Sequence, residues 1–169
     1  MANNERSRLM LAGTLQAMPI MQQIESFEPP TIEKEMKSVR GGRFAPDKIM
    51  TGLKEMEASI TINGAGGILL KELGVLEGGT VMLDVREAGK TTGGDTTSTY
   101  HSIGGRLISV KEKTLKMGEL PQTDIKLAVF RYQRTDDGLP VIDINLNTQV
   151  IDLGCGDIMS DIRRAVLMV

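Results

Sequence analysis

The side chains best suited to chemistry are four carboxylates, one imidazole and one thiol. Glu33 and Glu35 lie two apart, as do Glu55 and Glu57, a spacing that puts each pair on one face of a strand. Paired carboxylates can act as general acid and base. Here they alternate with other polar side chains, which fits a solvated sheet face better. His101 is the only histidine and Cys155 the only cysteine. A nucleophile and its base need a third group to orient them, and nothing in the sequence brings one to His101, which reads as a polar side chain on a strand face. A structural zinc site takes about four ligands, chiefly Cys and His, and a single Cys leaves no disulfide within the chain. Cys155 reads as a buried thiol. The sequence therefore gives no catalytic set, no metal site and no cofactor.

Two short motifs look like ligand loops. Val150-Ile151-Asp152-Leu153-Gly154-Cys155-Gly156 resembles the S-adenosylmethionine loop of methyltransferases, but Ile158 stands where a third glycine is expected. The chain also reaches Val169 before the acidic residue expected about 20 positions on. Gly89-Lys90-Thr91 resembles the end of a phosphate loop, yet Asp84 holds the place of that motif's first glycine, and a carboxylate there repels phosphate. Both read as ordinary turns or loops.

The elements that must position these residues are mostly strands. Met56, Ala58, Ile60 and Ile62 alternate with Glu55, Glu57, Ser59 and Thr61, the pattern of a strand with one buried face. Thr31–Arg40 alternates less cleanly, with neither face apolar, and is expected to pair with the Glu55 strand across the Gly-rich stretch around Gly41-Gly42 and Pro46. Thr80–Arg86, Ser98–Lys113 with a bulge at Gly104-Gly105, Asp124–Arg134, Val141–Leu146 and Gln149–Leu153 read as further strands. Asp136-Asp137-Gly138 reads as a tight turn between two of them. Glu87–Thr97 reads as a mobile loop. A short helix is expected over Ile68–Leu73, ending at Gly74, and another over Asp157–Met168, where Ile158, Ile162 and Val166 recur every four residues.

The fold class is thus mostly β: an antiparallel sandwich or barrel with one short middle helix and a C-terminal helix at its margin. Residues 1–30 read as an extended arm with little core of its own, Leu9–Gly13 as a short strand turned at Gly13, 31–153 as the β domain and 154–169 as the C-terminal helix. The 169 residues carry a formal net charge of −2, and aromatics make up only 3% of them, so the core is aliphatic with help from 11 methionines. That charge argues against a protein built to grip nucleic acid. No run approaches the roughly 20 apolar residues of a membrane helix. Met1–Arg8 is polar, without an apolar signal core, which gives no expectation of export or of a membrane anchor.

Pro30-Thr31-Ile32-Glu33-Lys34, the Arg40-Gly41-Gly42 turn, Ala45-Pro46 and Gly52-Leu53-Lys54-Glu55-Met56-Glu57-Ala58 occur in an order that resembles the major tail tube proteins of contractile-tailed phages and the tubes of R-type bacteriocins. Gly105-Arg106-Leu107, the Asp124–Arg134 strand, the Asp-Gly turn and Val141–Ile144 extend the resemblance over most of the chain. It implies a non-enzymatic structural subunit of a virion tail, made in the host cytoplasm. It implies hexameric rings stacked into a hollow tube, with strands of neighbouring subunits joined into a ring-wide barrel and both chain ends docked on neighbours. The partners it implies are sister copies, a sheath protein, a baseplate hub and a tail terminator at the tube ends, and a tape-measure protein and DNA in the lumen. A lumen that passes DNA is expected to be acidic or neutral. Glu55 and Glu57, then Glu33 and Glu35, are the expected lining. The loop Arg40, Gly41, Gly42, Arg43, Phe44, Ala45, Pro46, Asp47 is expected to reach an adjacent subunit or ring. A type VI secretion-like or bacteriocin tube and a monomeric β-sandwich binding module stand as alternatives.

Overall fold

The computed structural model describes residues 5–64, 71 and 79–166. Eleven strands are described: β1 Arg6–Leu15, β2 Met18–Pro19, β3 Ile24–Glu28, β4 Lys34–Val39, β5 Asp47–Leu53, β6 Met56–Asn63, β7 Val81–Thr91, β8 Thr96–Glu112, β9 Gln122–Asp136, β10 Leu139–Asn145 and β11 Val150–Asp152. One short helix, α1, follows at Ser160–Ala165. The short helix expected over Ile68–Leu73 lies, Lys71 apart, outside the described residues.

All the strand pairs are antiparallel. Nine strands form one sheet in the order β11-β10-β9-β8-β7-β1-β2, with β6 also on β9 and β3 on β6. β9 is hydrogen-bonded on both edges. β8 runs along one from Thr123 to Asp136. On the other, β6 takes Gln122–Val129 and β10 takes Arg131–Asp136. The sheet thus forks at the middle of β9 and folds over one aliphatic core. Met56, Ala58, Ile60 and Ile62 of β6 meet Val81, Leu83 and Val85 of β7, Ile103 of β8, Ile125, Leu127 and Val129 of β9, and Ile144 of β10 in that core. The mostly-β, antiparallel reading of the sequence holds, as does the buried face of β6.

The bulge expected at Gly104-Gly105 is present: Gly104 faces Arg131 and Gly105 faces Val129, leaving Phe130 as the extra residue on β9. The glycines are needed for closeness. A Cβ on Gly105 would stand 2.9 Å from the Ala128 carbonyl oxygen, and one on Gly104 would stand 3.2 Å from the Phe130 ring. The extra residue shifts the side-chain phase, so Tyr132 joins the buried face instead of the face of Lys126 and Ala128, where simple alternation puts it.

Several expectations need correction. The first thirty residues are not an arm without a core. Arg6–Leu15 pairs with β7, and Leu15 and Ile20 are fully buried. Gly13 lies within β1, and the turn falls at Gln16-Ala17, both at positive φ. Thr31–Arg40 does not pair with the Glu55 strand. Lys34–Val39 pairs with Asp47–Leu53 as a separate two-stranded sheet, while β6 pairs with β3 and β9. Fourteen residues would make a long hairpin loop, and the nearer partner halves it to the seven residues Arg40–Pro46. Glu87–Thr97 is largely strand: Glu87–Thr91 continues β7, and only Thr92–Asp95 turns. Gly89-Lys90-Thr91 therefore lies in the ladder against β1 and forms no loop. The C-terminal helix is cut to six residues, and Ile158, Ile162 and Val166 are exposed.

Cys155 is exposed and free. It sits between Gly154 and Gly156, both at positive φ, whose N–H groups donate to one oxygen of Asp152 at 2.8 and 3.0 Å. The glycines that resemble a cofactor loop thus serve a side-chain-capped turn. Behind that turn, Asp157 accepts from Arg163 and from the backbone N–H groups of Met159 and Ile151. The Arg163 hydrogen bond foremost, helped by those N–H groups, holds its pKa at about 2.

His101 is buried, not merely on a strand face. Its Nδ1 shares a 3.0 Å hydrogen bond with the Tyr132 hydroxyl, and Phe27 packs 5.3 Å from its ring. Burial lowers the His101 pKa and raises that of Tyr132 to about 12. The pair is neutral at pH 7, a polar link inside an aliphatic core.

Two outcomes follow for the isolated subunit. Leu127→Ala, at a fully buried position, should cost about 2–5 kcal/mol. Lys126→Ala, on the opposite face of the same strand, should change stability by less than about 1 kcal/mol; urea unfolding of both variants measures the contrast. Because the folded pKa of His101 lies below its unfolded value of 6.5, the unfolded chain takes up the proton first. Stability should then fall as the pH drops below 6.5, and His101→Gln should flatten that slope in unfolding curves between pH 7 and 5.

Candidate surface of the acidic groove and the hairpin

The sequence at the root of the β4–β5 hairpin dictates a cleft. Pro29-Pro30 ends β3 in a stiff extended joint, and Lys54-Glu55 joins β5 directly to β6. The hairpin therefore leaves the main sheet at one place, with both of its connections anchored there. The backbone bond from Lys54 N–H to the Glu33 carbonyl, at 2.9 Å, closes its root. Between the root and the outer face of β3, β6 and β9 lies an open cavity of about 810 Å³.

Glu28, Glu33, Glu35, Glu55 and Glu57 line this cavity together with Lys54 and Lys126. All four carboxylates singled out from the sequence therefore meet in one groove, although they come from different elements. Glu57 projects from the outer face of β6, and Glu55 lies in the two-residue link before it. Glu35 belongs to β4, and Glu33 immediately precedes that strand. Glu28 and Lys126 join them because β3 and β9 flank β6. Sequence alternation alone could not supply those two, since they need the strand order.

Two of the carboxylates are paired. Glu33 meets Lys54 at 2.6 Å and Glu57 meets Lys126 at 2.6 Å. The hydrogen bond from Lys54, and then its charge, lower the Glu33 pKa, and the same contact raises that of Lys54. Both pairs are well exposed, so they set local charge more than they add stability. Glu28 accepts from the Ser59 hydroxyl at 3.1 Å. Five carboxylates against two ammonium groups leave the groove acidic. All five carboxylates are exposed to water. Among the described residues, no cluster of His, Cys, Asp and Glu could hold a metal ion.

The far end of the hairpin has the opposite character. The loop Arg40–Pro46 turns at Gly41 and Gly42, which take φ of 45° and 75°, values that suit glycine. Arg43 N–H donates to the Arg40 carbonyl at 2.8 Å, and the Arg43 guanidinium meets Asp47 at 2.9 Å. Phe44 is fully exposed. Every residue of β4 is exposed, and Met36, Val39, Ile49 and Met50 add apolar surface to the ribbon. Asp47–Leu53 was not legible as a strand because Ile49-Met50 breaks the alternation.

A family model for the phage tail tube protein FII matches residues 15–166. No curated protein matches. Among the solved structures that the chain resembles, three serve to compare folds. The sheath/tube terminator of an extracellular contractile injection system, PVC, in its extended state has a TM-score of 0.57 at 11% identity, over 75% of this chain and 93% of that one. The sheath-tube complex of the same system gives 0.55 at 10% identity, over 75% and 88%. The anti-feeding prophage cap, a tube-terminating cap, gives 0.55 at 11% identity, over 74% and 87%. At these identities the likeness is one of fold. The family match spans the β domain, the hairpin and α1, so this chain belongs to the phage tail tube protein FII family and is a structural subunit of a tail tube.

Proposed function

We propose that the subunit forms hexameric rings that stack into the inner tube of a contractile tail. A sheath lies outside this tube, terminator and baseplate proteins close its ends, and DNA and a tape-measure protein occupy its lumen. The observation that carries the reading is the β4–β5 hairpin. It is a two-stranded sheet with an exposed apolar content, and among the described residues it pairs with no other strand. Such a ribbon is marginal alone in water and becomes stable when a neighbour covers it. The outer edges of β1, from Arg6 to Gly13, and of β3 carry no paired strand among the described residues, and ring closure between copies would remove them.

In this reading Glu55 and Glu57 face the lumen with the rest of the outer row of β6, Ser59 and Thr61. Carboxylates and hydroxyls keep the wall hydrated and repel phosphate, so DNA slides past without being held. The Arg40–Asp47 loop reaches the adjacent subunit or ring. The charged stretch Glu87–Thr97, which turns at Thr92–Asp95, lies on the outer, sheath-facing surface, and the chain ends dock on neighbours.

Negative-stain microscopy of the purified protein should show rings or tubes. A persistent 18.4 kDa monomer at high concentration would remove the proposal in favour of a free β-sandwich binding module. A subunit-resolved map of the assembled particle should place Glu55 and Glu57 on the wall of the hole.

A further inference from the structure

β3 is held to the body by little. It pairs with β6 along one edge, and its other edge meets no strand among the described residues. Of its five residues only Ile24 and Phe27 are half-buried. Both pack on the aliphatic cluster, and Phe27 does so beside His101, with the two rings 5.3 Å apart and tilted by 60°. The His101 ring lies nearly parallel to that of Tyr132, 6.1 Å away, and shares the hydrogen bond with its hydroxyl. One imidazole thus joins β8, β9 and β3. It also marks the end of the apolar core. The next inward residue on β8 is Thr99, in register with Glu87 of β7 and Asp136 of β9. Beyond them opens a cavity of about 440 Å³, lined by Arg6, Arg8, Glu87, Thr97, Thr99 and Arg134 among others.

The charges that face His101 come in pairs. Arg8 of β1 meets Glu87 of β7 at 2.8 Å, and Arg134 meets Asp136 within β9 at 2.9 Å. Further out, Arg6 meets Asp137 at 3.1 Å. Glu87 and Asp136 favour a charged ring, and Arg134 and Arg8 oppose it. β3 brings no charge to it, because Glu25 is engaged by Asn63 and Glu28 by Ser59. The neighbouring charges therefore offset one another, and burial keeps the ring neutral at pH 7. A proton upsets this arrangement. A neutral ring can accept from the Tyr132 hydroxyl, whereas an imidazolium has only donors and is costly among apolar neighbours. Water and two carboxylates wait for it at the cavity. We infer that His101 is an acid-operated latch: protonation of its ring unseats Phe27 and frees β3, and with it the Pro29-Pro30 joint to the hairpin, while the rest of the sheet stays closed. The latch belongs to the single subunit and is independent of how copies assemble.

The open form binds its proton with ordinary histidine affinity and the closed form binds it more weakly, so acid favours opening from pH 6.5 downward. Amide hydrogen exchange of the full chain, read by mass spectrometry, tests this. Each rate is divided by that of an unstructured chain at the same pH. From pH 7.5 to 5 the corrected exchange of the β3 amides bonded to β6 should rise by about three- to thirtyfold. It should stay faster than that of Val81–Val85 in β7 throughout. Low urea should speed exchange at Val81–Val85 and leave β3 unchanged, since a local opening exposes little surface. His101→Gln, which cannot take the charge, should hold the β3 rate flat over the same range. Four results would overturn the latch. One is constant β3 exchange down to pH 5, with the charged ring held in place. Another is a rise that begins only in the carboxylate range, near pH 4. A third is a rise shared with Val81–Val85 at the same urea dependence, which is unfolding of the whole domain. The last is a folded His101→Gln chain that opens as the parent does. If that variant does not fold, the onset pH and the urea dependence of the parent chain decide.

Discussion

β9 supplies hydrogen bonds along two edges at once, and that double duty organises the body. A strand paired to β8 on one side and to both β6 and β10 on the other must change neighbours partway. The change falls at Phe130, whose carbonyl oxygen accepts from Leu146 N–H at 2.9 Å. An antiparallel ladder cannot absorb an extra residue without a local bend. The bend at Phe130 lets one long strand serve both lobes of the fork. Gly105 permits it, since the Ala128 carbonyl oxygen comes closer than a Cβ allows, and Gly104 leaves room for the Phe130 ring. Tyr132 enters the core as a consequence and brings its hydroxyl to His101. The only polar pair deep in the aliphatic cluster is thus a by-product of the bulge among the described residues.

The same physics explains what was legible beforehand. β6 alternates cleanly because one face meets the core and the other meets water, so its buried set could be read residue by residue. The bulge announced itself as adjacent glycines inside a strand pattern. Its effect on Tyr132 did not, because phase depends on which strand holds the extra residue. β1 was hidden by its polar start: Arg6 and Arg8 are exposed strand residues held by Asp137 and Glu87, and charge on a strand resembles charge on an arm. Glu87–Thr91 was hidden in the same way, being the partner of that charged half of β1. Partner choice for the hairpin was lost for another reason. Alternation says that a segment is extended, and only loop length says which neighbour it takes. The four carboxylates were visible as side chains on extended segments. That they share one groove with Glu28 and Lys126 needed the order β3-β6-β9.

α1 illustrates how local chemistry can terminate what periodicity would extend. Ile158, Ile162 and Val166 have the spacing of an amphipathic helix, yet the segment is pinned at its start by Asp157, which is bridged to Asp152 and bonded to Arg163. Those bonds turn Arg163 inward, where it also caps the Gln149 carbonyl. The apolar stripe consequently points away from the sheet. Short helices gain little from propensity alone, so six residues held by one carboxylate cap the sheet beside β11 without entering the core.

A formal net charge of −2 conceals how unevenly charge is placed. The groove gathers carboxylates, while the outer hairpin gathers lysines and arginines within the same sixty residues. In the proposed tube this separation would matter in two ways. Carboxylates on a channel wall would repel phosphate, and a wall of one sign would also repel its own repeats as copies are added. Basic side chains held on a ribbon apart from those carboxylates would leave the wall without added cations, whereas lysines and arginines on the wall itself would hold a passing polyanion.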